Sequence, residues 1–243
     1  MDLKNNTVLV TGGASGIGLA LAVRFQAAGS SVIICGRRAD KLAEAKAAHP
    51  ALHTHVADVS TASGRQDLVN WAVRDFPSLN VIVNNAGIQR RVKLAENEPW
   101  EETHQELAAN LEAPIHLSRL FIPHLRTQPR AAIMNVTSGL SFAPKADVPV
   151  YCATKAALHS FTLSLRYQLK DTPIQVIEII PPAVDTNLGG PGLHTFGVNV
   201  NDFADDVMAK IAAGSVEAAH AFAEQSSRAS RAELDAMFQR MNP

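Results

Sequence analysis

Short apolar runs and longer stretches with helical spacing take turns along the whole chain. The runs at 7–10, 31–35, 80–83, 131–136 and 174–180 are dominated by Val, Ile, Leu and Ala, and each is bounded by turn residues. Runs of this kind predict strands buried in a parallel sheet. His53-Thr54-His55-Val56 alternates like a strand and is expected to end at Ala57-Asp58-Val59, and 217–222 predicts a short last strand. Between these runs, apolar residues recur every three or four positions and predict helices. The first carries Ile17, Leu21, Phe25 and Ala28 and stops at Gly29, and a second spans 40–48. A third has a capping box from Ser63 to Gln66 and a core stripe of Leu68, Trp71, Ala72 and Phe76. Further helices are expected from about Glu98 to Leu125, over about 151–169, over 202–213, and at the C-terminus behind a Ser230–Glu233 capping box. The terminal stripe, Leu234, Met237, Phe238 and Met241, packs on its own domain or meets another subunit; the pattern leaves both open. No repeat, low-complexity stretch or linker interrupts the alternation, which predicts an α/β fold: one doubly wound parallel β-sheet with helices on both faces.

Candidate chemistry begins at the end of the first strand, in Thr11-Gly12-Gly13-Ala14-Ser15-Gly16-Ile17-Gly18. Strand, glycine turn and helix together let backbone approach a pyrophosphate, which sits on the unpaired N–H groups of the helix N-terminus. At the end of the second strand, where an NAD site places a carboxylate for the ribose hydroxyls, stands Gly36-Arg37-Arg38. Arginine forks pair with phosphate, so this end predicts the 2′-phosphate of NADP(H), with NAD(H) as the alternative coenzyme. Asn84-Asn85-Ala86-Gly87 closes the fourth strand with small and amide residues that admit a ligand to the backbone. The fifth ends at Thr137-Ser138-Gly139, and the sixth at Pro181-Pro182, ahead of a glycine-rich loop over 183–201 that is a lid or a surface loop.

Tyr151 and Lys155 lie four apart on the helix that follows the fifth strand, so phenol and ammonium share a face. An adjacent cation is expected to lower the tyrosine pKa towards working pH, which suits a general acid/base for an alcohol/carbonyl couple. Asn110 stands in an apolar stretch before Pro114 and must satisfy both ends of its amide. His49, His53 and His55 cluster around Pro50, but nothing completes a ligand set, and no metal is expected.

Composition narrows the picture. The 243 residues are 47% hydrophobic, with a formal net charge of −1, which argues against nucleic-acid or anionic-membrane binding through bulk charge. No apolar run is long enough for a membrane span or follows the first residues as a signal. Two cysteines, Cys35 and Cys152, in predicted buried elements suit a reducing compartment. A cytoplasmic location is expected.

Thr11-Gly12-x-x-x-Gly16-x-Gly18, Asn84-Asn85-Ala86-Gly87, Asn110, Ser138 and Tyr151-x-x-x-Lys155, in this order, resemble the short-chain dehydrogenase/reductase family. The stretches 84–91, 110–116 and 189–196 are similar to a bacterial oxidoreductase subgroup within it. The resemblance spans nearly the whole chain and implies one Rossmann-like domain of about seven strands over 1–243. It implies catalytic roles for Asn110, Ser138, Tyr151 and Lys155: the tyrosine as acid/base, the lysine on the nicotinamide ribose, the serine on the substrate oxygen, the asparagine holding a relay water. It implies that Gly12, Ser15, Ile17, Arg37, Arg38, Asp58, Val59 and Asn85, with Gly16, Gly18, Ala86 and Gly87, line the adenosine and phosphate end. Pro181, Val184 and Thr186 are implied at the nicotinamide carboxamide. The substrate expected is a small or medium ketone or secondary alcohol, in an apolar pocket of Phe142, Ala143, Val148, Leu188 and Leu193. A 3-oxoacyl thioester docked on Arg90, Arg91 and Lys93 and a non-catalytic NADP sensor are the alternatives. A homo-oligomer, tetramer or dimer, is expected through the helices at about 101–125 and 151–169. Pro182 where the family usually has glycine, Thr154 where serine is common, and the absent Asp-Gly-Gly ending are departures.

Overall fold

The computed structural model describes residues 1–96 and 99–243. Strand and helix alternate through β1 (Thr7–Thr11), α1 (Gly16–Ala27), β2 (Ser31–Gly36), α2 (Ala39–Ala48), β3 (His53–Val56), α3 (Ala62–Asp75) and β4 (Val81–Asn84). Next come α4 (Trp100–Leu107), a π-helical turn over Ala108–Glu112, α5 (Ala113–Leu125), β5 (Ala131–Val136) and α6 (Pro149–Gln168). The chain ends with β6 (Ile174–Ile180), α7 (Val200–Ala212), β7 (Glu217–Ala219), α8 (Phe222–Arg228) and α9 (Arg231–Met241). Among the described residues, seven strands form one parallel sheet in the order β3-β2-β1-β4-β5-β6-β7. The order reverses between β1 and β4, and in sheets of this kind a crevice opens there at the carboxyl ends of the strands.

Strand periodicity divides the core into two layers. Val8, Val10, Val32, Ile34, Met134 and Ile179 face one way, against Leu21 and Phe25 of α1 and Phe203, Val207 and Ile211 of α7. Leu9, Ile33, Ile82, Ile133 and Val176 face the other, against Leu68 of α3, Leu117 and Phe121 of α5 and Leu165 of α6. Side chains that alternate across each strand have to be covered on both faces, which is why helices lie on both.

Several boundaries differ from the sequence expectation. The helix expected from Glu98 begins at Trp100, Glu98 itself lying outside the described residues. It is not continuous: Pro114 has no N–H to give the carbonyl four residues back, and the chain widens into the π-helical turn just before it. The cap of α3 is Thr61, whose hydroxyl accepts from the Gly64 N–H at 3.0 Å, so the capping box at Ser63 does not form. Trp71 and Phe76 are half-buried and pack against the core from its edge, and Trp71 stacks on His55, ring centroids 3.8 Å apart. The last strand stops at Ala219, and Phe222 opens α8 instead of ending the strand. Ser230 and Glu233 form their capping box, and from the terminal stripe Met237 is buried while Phe238 is exposed. Among the described residues no helix is long and apolar enough to cross a membrane.

Candidate active site

A cleft of about 1550 Å³ opens at the carboxyl ends of β1, β4, β5 and β6. The loops after β1 and β4 are tied together there. The Thr11 hydroxyl accepts from the backbone N–H of Asn85 and of Ala86, both at 3.0 Å. The Asn85 carboxamide donates to the carbonyls of Thr11 at 2.9 Å and Gly12 at 3.2 Å. This lashing leaves no room for side chains. A Cβ on Gly12, which has φ +63°, would stand 2.9 Å from the Ala86 Cα, and one on Gly18 2.4 Å from the Asn85 amide nitrogen. Gly12, Ser15, Gly16, Ile17 and Gly18 all line the cleft. The Ser15 side chain makes no cap on α1, so the first N–H groups of that helix are left for a ligand. Bare backbone beside a helix N-terminus fits a dinucleotide pyrophosphate.

The second cluster belongs to α6 and the end of β5. Pro149 stands in the first turn of α6, where its fixed φ suits the helix. Tyr151 and Lys155, 6% and 4% exposed, reach the cleft wall next to Ser138. Lys155 Nζ lies 5.6 Å from the Tyr151 ring centroid and donates to the Val136 carbonyl at 2.7 Å. Ser138 Oγ accepts from the Leu140 N–H at 3.1 Å and faces the Tyr151 phenol, whose ionised form it favours. Asn110 stands behind this wall, not on it. Its Oδ1 accepts from the Ile88 N–H and its Nδ2 donates to the Ile88 carbonyl, both at 2.7 Å.

Burial governs the protonation of the pair. It raises the Tyr151 pKa, the Ser138 hydroxyl pulling it back and the Glu106 carboxylate adding to the rise. It lowers that of Lys155 to about 8, against the pull of Glu106. The sequence expectation of a tyrosine pKa lowered by its lysine is therefore corrected: removing the phenolate from water is the largest influence on Tyr151.

The remaining expected residues divide. Asn85, Ala86, Gly87, Pro181, Val184, Thr186 and Arg38 line the cleft. Arg37, Asp58 and Val59 do not. The Arg37 guanidinium turns to the Asp58 carboxylate at 4.0 Å, Asp58 accepts from the Ser60 N–H at 2.9 Å, and Val59 is buried. On the substrate side Val148, Leu188 and Leu193 line the cleft, whereas Phe142 packs on Ala219 and Ala223 and Ala143 is fully buried. Sequence reasoning missed Lys41 and Glu44, one and two turns along α2 from Arg38, and Phe222 and Met241, which bring the C-terminal segment to the cleft. Helical spacing from Arg38 was the available signal for Lys41. The glycine-rich loop is stapled at its base by parallel pairing of Val184 with Val198, and its His194 and Phe196 also reach the cleft. No group of three or more His, Cys, Asp or Glu side chains suited to a metal is found among the described residues.

Comparison with known proteins agrees with this geometry. The sequence profile described as short chain dehydrogenase matches residues 6–193. The uncharacterized oxidoreductase DltE of Bacillus subtilis is 47% identical over 248 residues, covering 100% of this chain and 98% of that protein. A short-chain dehydrogenase from Burkholderia cenocepacia, solved with NADP, superposes with a TM-score of 0.85 at 23% identity, over 99% of both chains. A short-chain dehydrogenase/reductase from Burkholderia phymatum, solved with NAD, superposes at 0.81 with 20% identity over 90% of both.

Proposed function

The chain belongs to the short-chain dehydrogenase family, NAD(P)-dependent oxidoreductases of Rossmann-like fold, and from that premise we propose an NADP(H)-preferring carbonyl reductase/alcohol dehydrogenase. The observation that carries this reading is the meeting of Ser138, Tyr151 and Lys155 on the wall of the cleft that the glycine turn opens. The bound nicotinamide coenzyme supplies or takes up the hydride. Ser138 donates a hydrogen bond to the substrate oxygen and steadies the charge that develops on it. Tyr151 gives that oxygen its phenolic proton in reduction and takes it back in oxidation. Lys155, held by the Val136 carbonyl, holds the nicotinamide ribose. Asn110 fixes the Ile88 backbone beside Gly87, where an added Cβ would stand 3.4 Å from its Oδ1 and 3.8 Å from Lys155 Nζ. Asn85, Ala86, Pro181, Val184 and Thr186 shape the coenzyme channel.

Preference for NADP(H) rests on Arg38 and Lys41 on the cleft wall. The substrate read from Val148, Leu188 and Leu193 is an uncharged small or medium ketone or secondary alcohol. A thioester on a carrier protein needs a free basic patch, but the Arg90 and Arg91 guanidinium groups face Glu102 and Asp147 at 3.6 and 3.4 Å. A homo-oligomer is supported by the exposed apolar side chains Trp100, Ile115, Leu163 and Tyr167 on α4, α5 and α6. The two free cysteines are buried, and burial pushes the Cys35 thiol up to about 12, in keeping with a reducing cytoplasm. The test is NADPH consumption against ketones, diketones and 3-oxoesters, with NADH run in parallel. Turnover favouring NADPH is expected. Coenzyme binding with no turnover on any carbonyl would favour a sensor instead.

A further inference from the structure

Outside the four residues of the proposed mechanism, a carboxyl side chain is sealed beside them. Glu106, on the last turn of α4, is 0% exposed, and neither of its carboxylate oxygens has a hydrogen-bond partner. The Arg90 backbone N–H bears on it without closing to hydrogen-bonding geometry. A buried carboxylate without donors is costly, and retaining one calls for an explanation.

Its surroundings supply that explanation. Glu106 lies four residues before Asn110, where α4 packs on α6. The ionisable groups that bear on it are Arg90 from the loop after β4 and Tyr151, Cys152 and Lys155 from α6. Positions 151, 152 and 155 share one helix face, so the carboxylate looks onto the proton-handling face of α6 from behind the cleft. It does not line the cleft.

We propose that Glu106 is the buried counter-charge of the Tyr151–Lys155 pair, a positioning residue that holds both groups protonated during carbonyl reduction. This rests on the reading of Tyr151 as proton donor. A fixed anion in a dry interior favours the ammonium of Lys155 and opposes the phenolate of Tyr151, and both effects keep protons on the pair. Burial raises the Glu106 pKa to about 7, the nearby Arg90 and Lys155 opposing the rise. With Lys155 at about 8, carboxyl and ammonium titrate as a coupled unit close to neutrality. The enzyme would thus change its proton-donating power across ordinary cellular pH.

Glu106→Gln removes the charge and keeps the shape. Both pKa values then fall, so the alkaline limb of kcat for reduction moves to lower pH by about one pH unit. Glu106→Asp restores the charge and returns the limb towards the wild-type position. A limb that stays in place in Glu106→Gln, whatever the change in kcat, overturns the proposal, because a merely structural role scales the rate without moving the profile. Infrared spectra of the wild-type protein with labelled glutamate give a second readout that needs no substrate and no stable glutamine variant. A buried carboxyl band that ionises near neutral pH, identified by its shift in Glu106→Asp, is expected. A Glu106 carboxyl that stays protonated over the whole folded range carries no charge to set against the pair, and contradicts it. Turnover that survives Tyr151→Phe would instead remove the mechanism on which the proposal stands, so the two failures are told apart.

Discussion

Asn110 clasps both backbone groups of Ile88, accepting from its N–H and donating to its carbonyl at 2.7 Å each. This clasp joins the π-helical turn to the loop after β4, the loop that brings Asn85, Ala86 and Gly87 to the cleft. Its Nδ2 also reaches the Thr154 hydroxyl at 3.3 Å, in the helix turn between Tyr151 and Lys155. The buried amide therefore connects the three segments that the proposed chemistry needs. Both polar atoms of its side chain are engaged in doing so.

Replacing Asn110 with alanine leaves the Ile88 N–H and carbonyl without their partners. Orphaned polar groups in a partly buried site cost about 1–3 kcal/mol. Denaturant unfolding of Asn110→Ala is expected to show a loss of that size, together with a large drop in turnover. Unchanged stability would mean that the clasp does not hold the loop.

Arg38 and Arg37 are expected to separate. Arg38 lines the cleft, whereas Arg37 faces Asp58 at 4.0 Å. Losing a charged hydrogen bond to phosphate costs about 1.5–3 kcal/mol, or about ten- to a hundredfold in affinity. Fluorescence titration of Arg38→Ala should show that loss for NADPH and little for NADH, with a smaller NADPH effect in Arg37→Ala. Equal losses for both coenzymes in Arg38→Ala would remove the NADP assignment.

The pair of His159 and Glu178 links stability to pH. The His159 Nδ1 lies 2.9 Å from Oε1 of Glu178, the carboxylate is fully buried, and it also accepts from the Thr137 hydroxyl at 2.7 Å. The hydrogen bond with Glu178, followed in size by the opposing effect of burial, leaves the histidine pKa above its usual 6.5. A raised folded pKa means that the proton favours the folded state. The contribution is complete below about pH 6.5, the unfolded value, and is lost as pH rises through the folded pKa. The stability difference between wild type and His159→Gln should therefore be larger at about pH 6 than at about pH 8.5. A difference that grows with pH would reverse the sign of this linkage.

The fold was readable wherever burial left a continuous signature. β5 and β6 lie at the residues their apolar runs predict, 131–136 and 174–180, because both strands are covered on two faces. It was less readable at the C-terminus, where β7 has three residues and Ala221 takes φ +48°, a conformation that alanine rarely adopts and that no local pattern announces. Within the candidate site, Tyr151, Lys155 and the glycine turn were visible because their chemistry depends on near spacing in sequence. Arg37 was placed at the coenzyme by its strand position and by the family resemblance, Asp58 and Val59 by the resemblance; none of the three lines the cleft, the Arg37 and Asp58 side chains facing each other and Val59 being buried. Glu106 escaped notice for the opposite reason. In Trp100-Glu101-Glu102-Thr103-His104-Gln105-Glu106 it reads as one more residue of a solvated helix face, and only the packing of α4 on α6 seals it.

The central claim is that Tyr151 transfers the proton at the reacting oxygen. The most direct measurement is the rate of NADPH-dependent reduction of the best carbonyl substrate by wild type and by Tyr151→Phe, with NADPH affinity measured on both. Phenylalanine keeps the ring and removes only the acid. Loss of general acid catalysis predicts a fall in kcat of about a hundredfold or more, with NADPH affinity retained. A Tyr151→Phe enzyme that turns over at the wild-type rate would contradict the account.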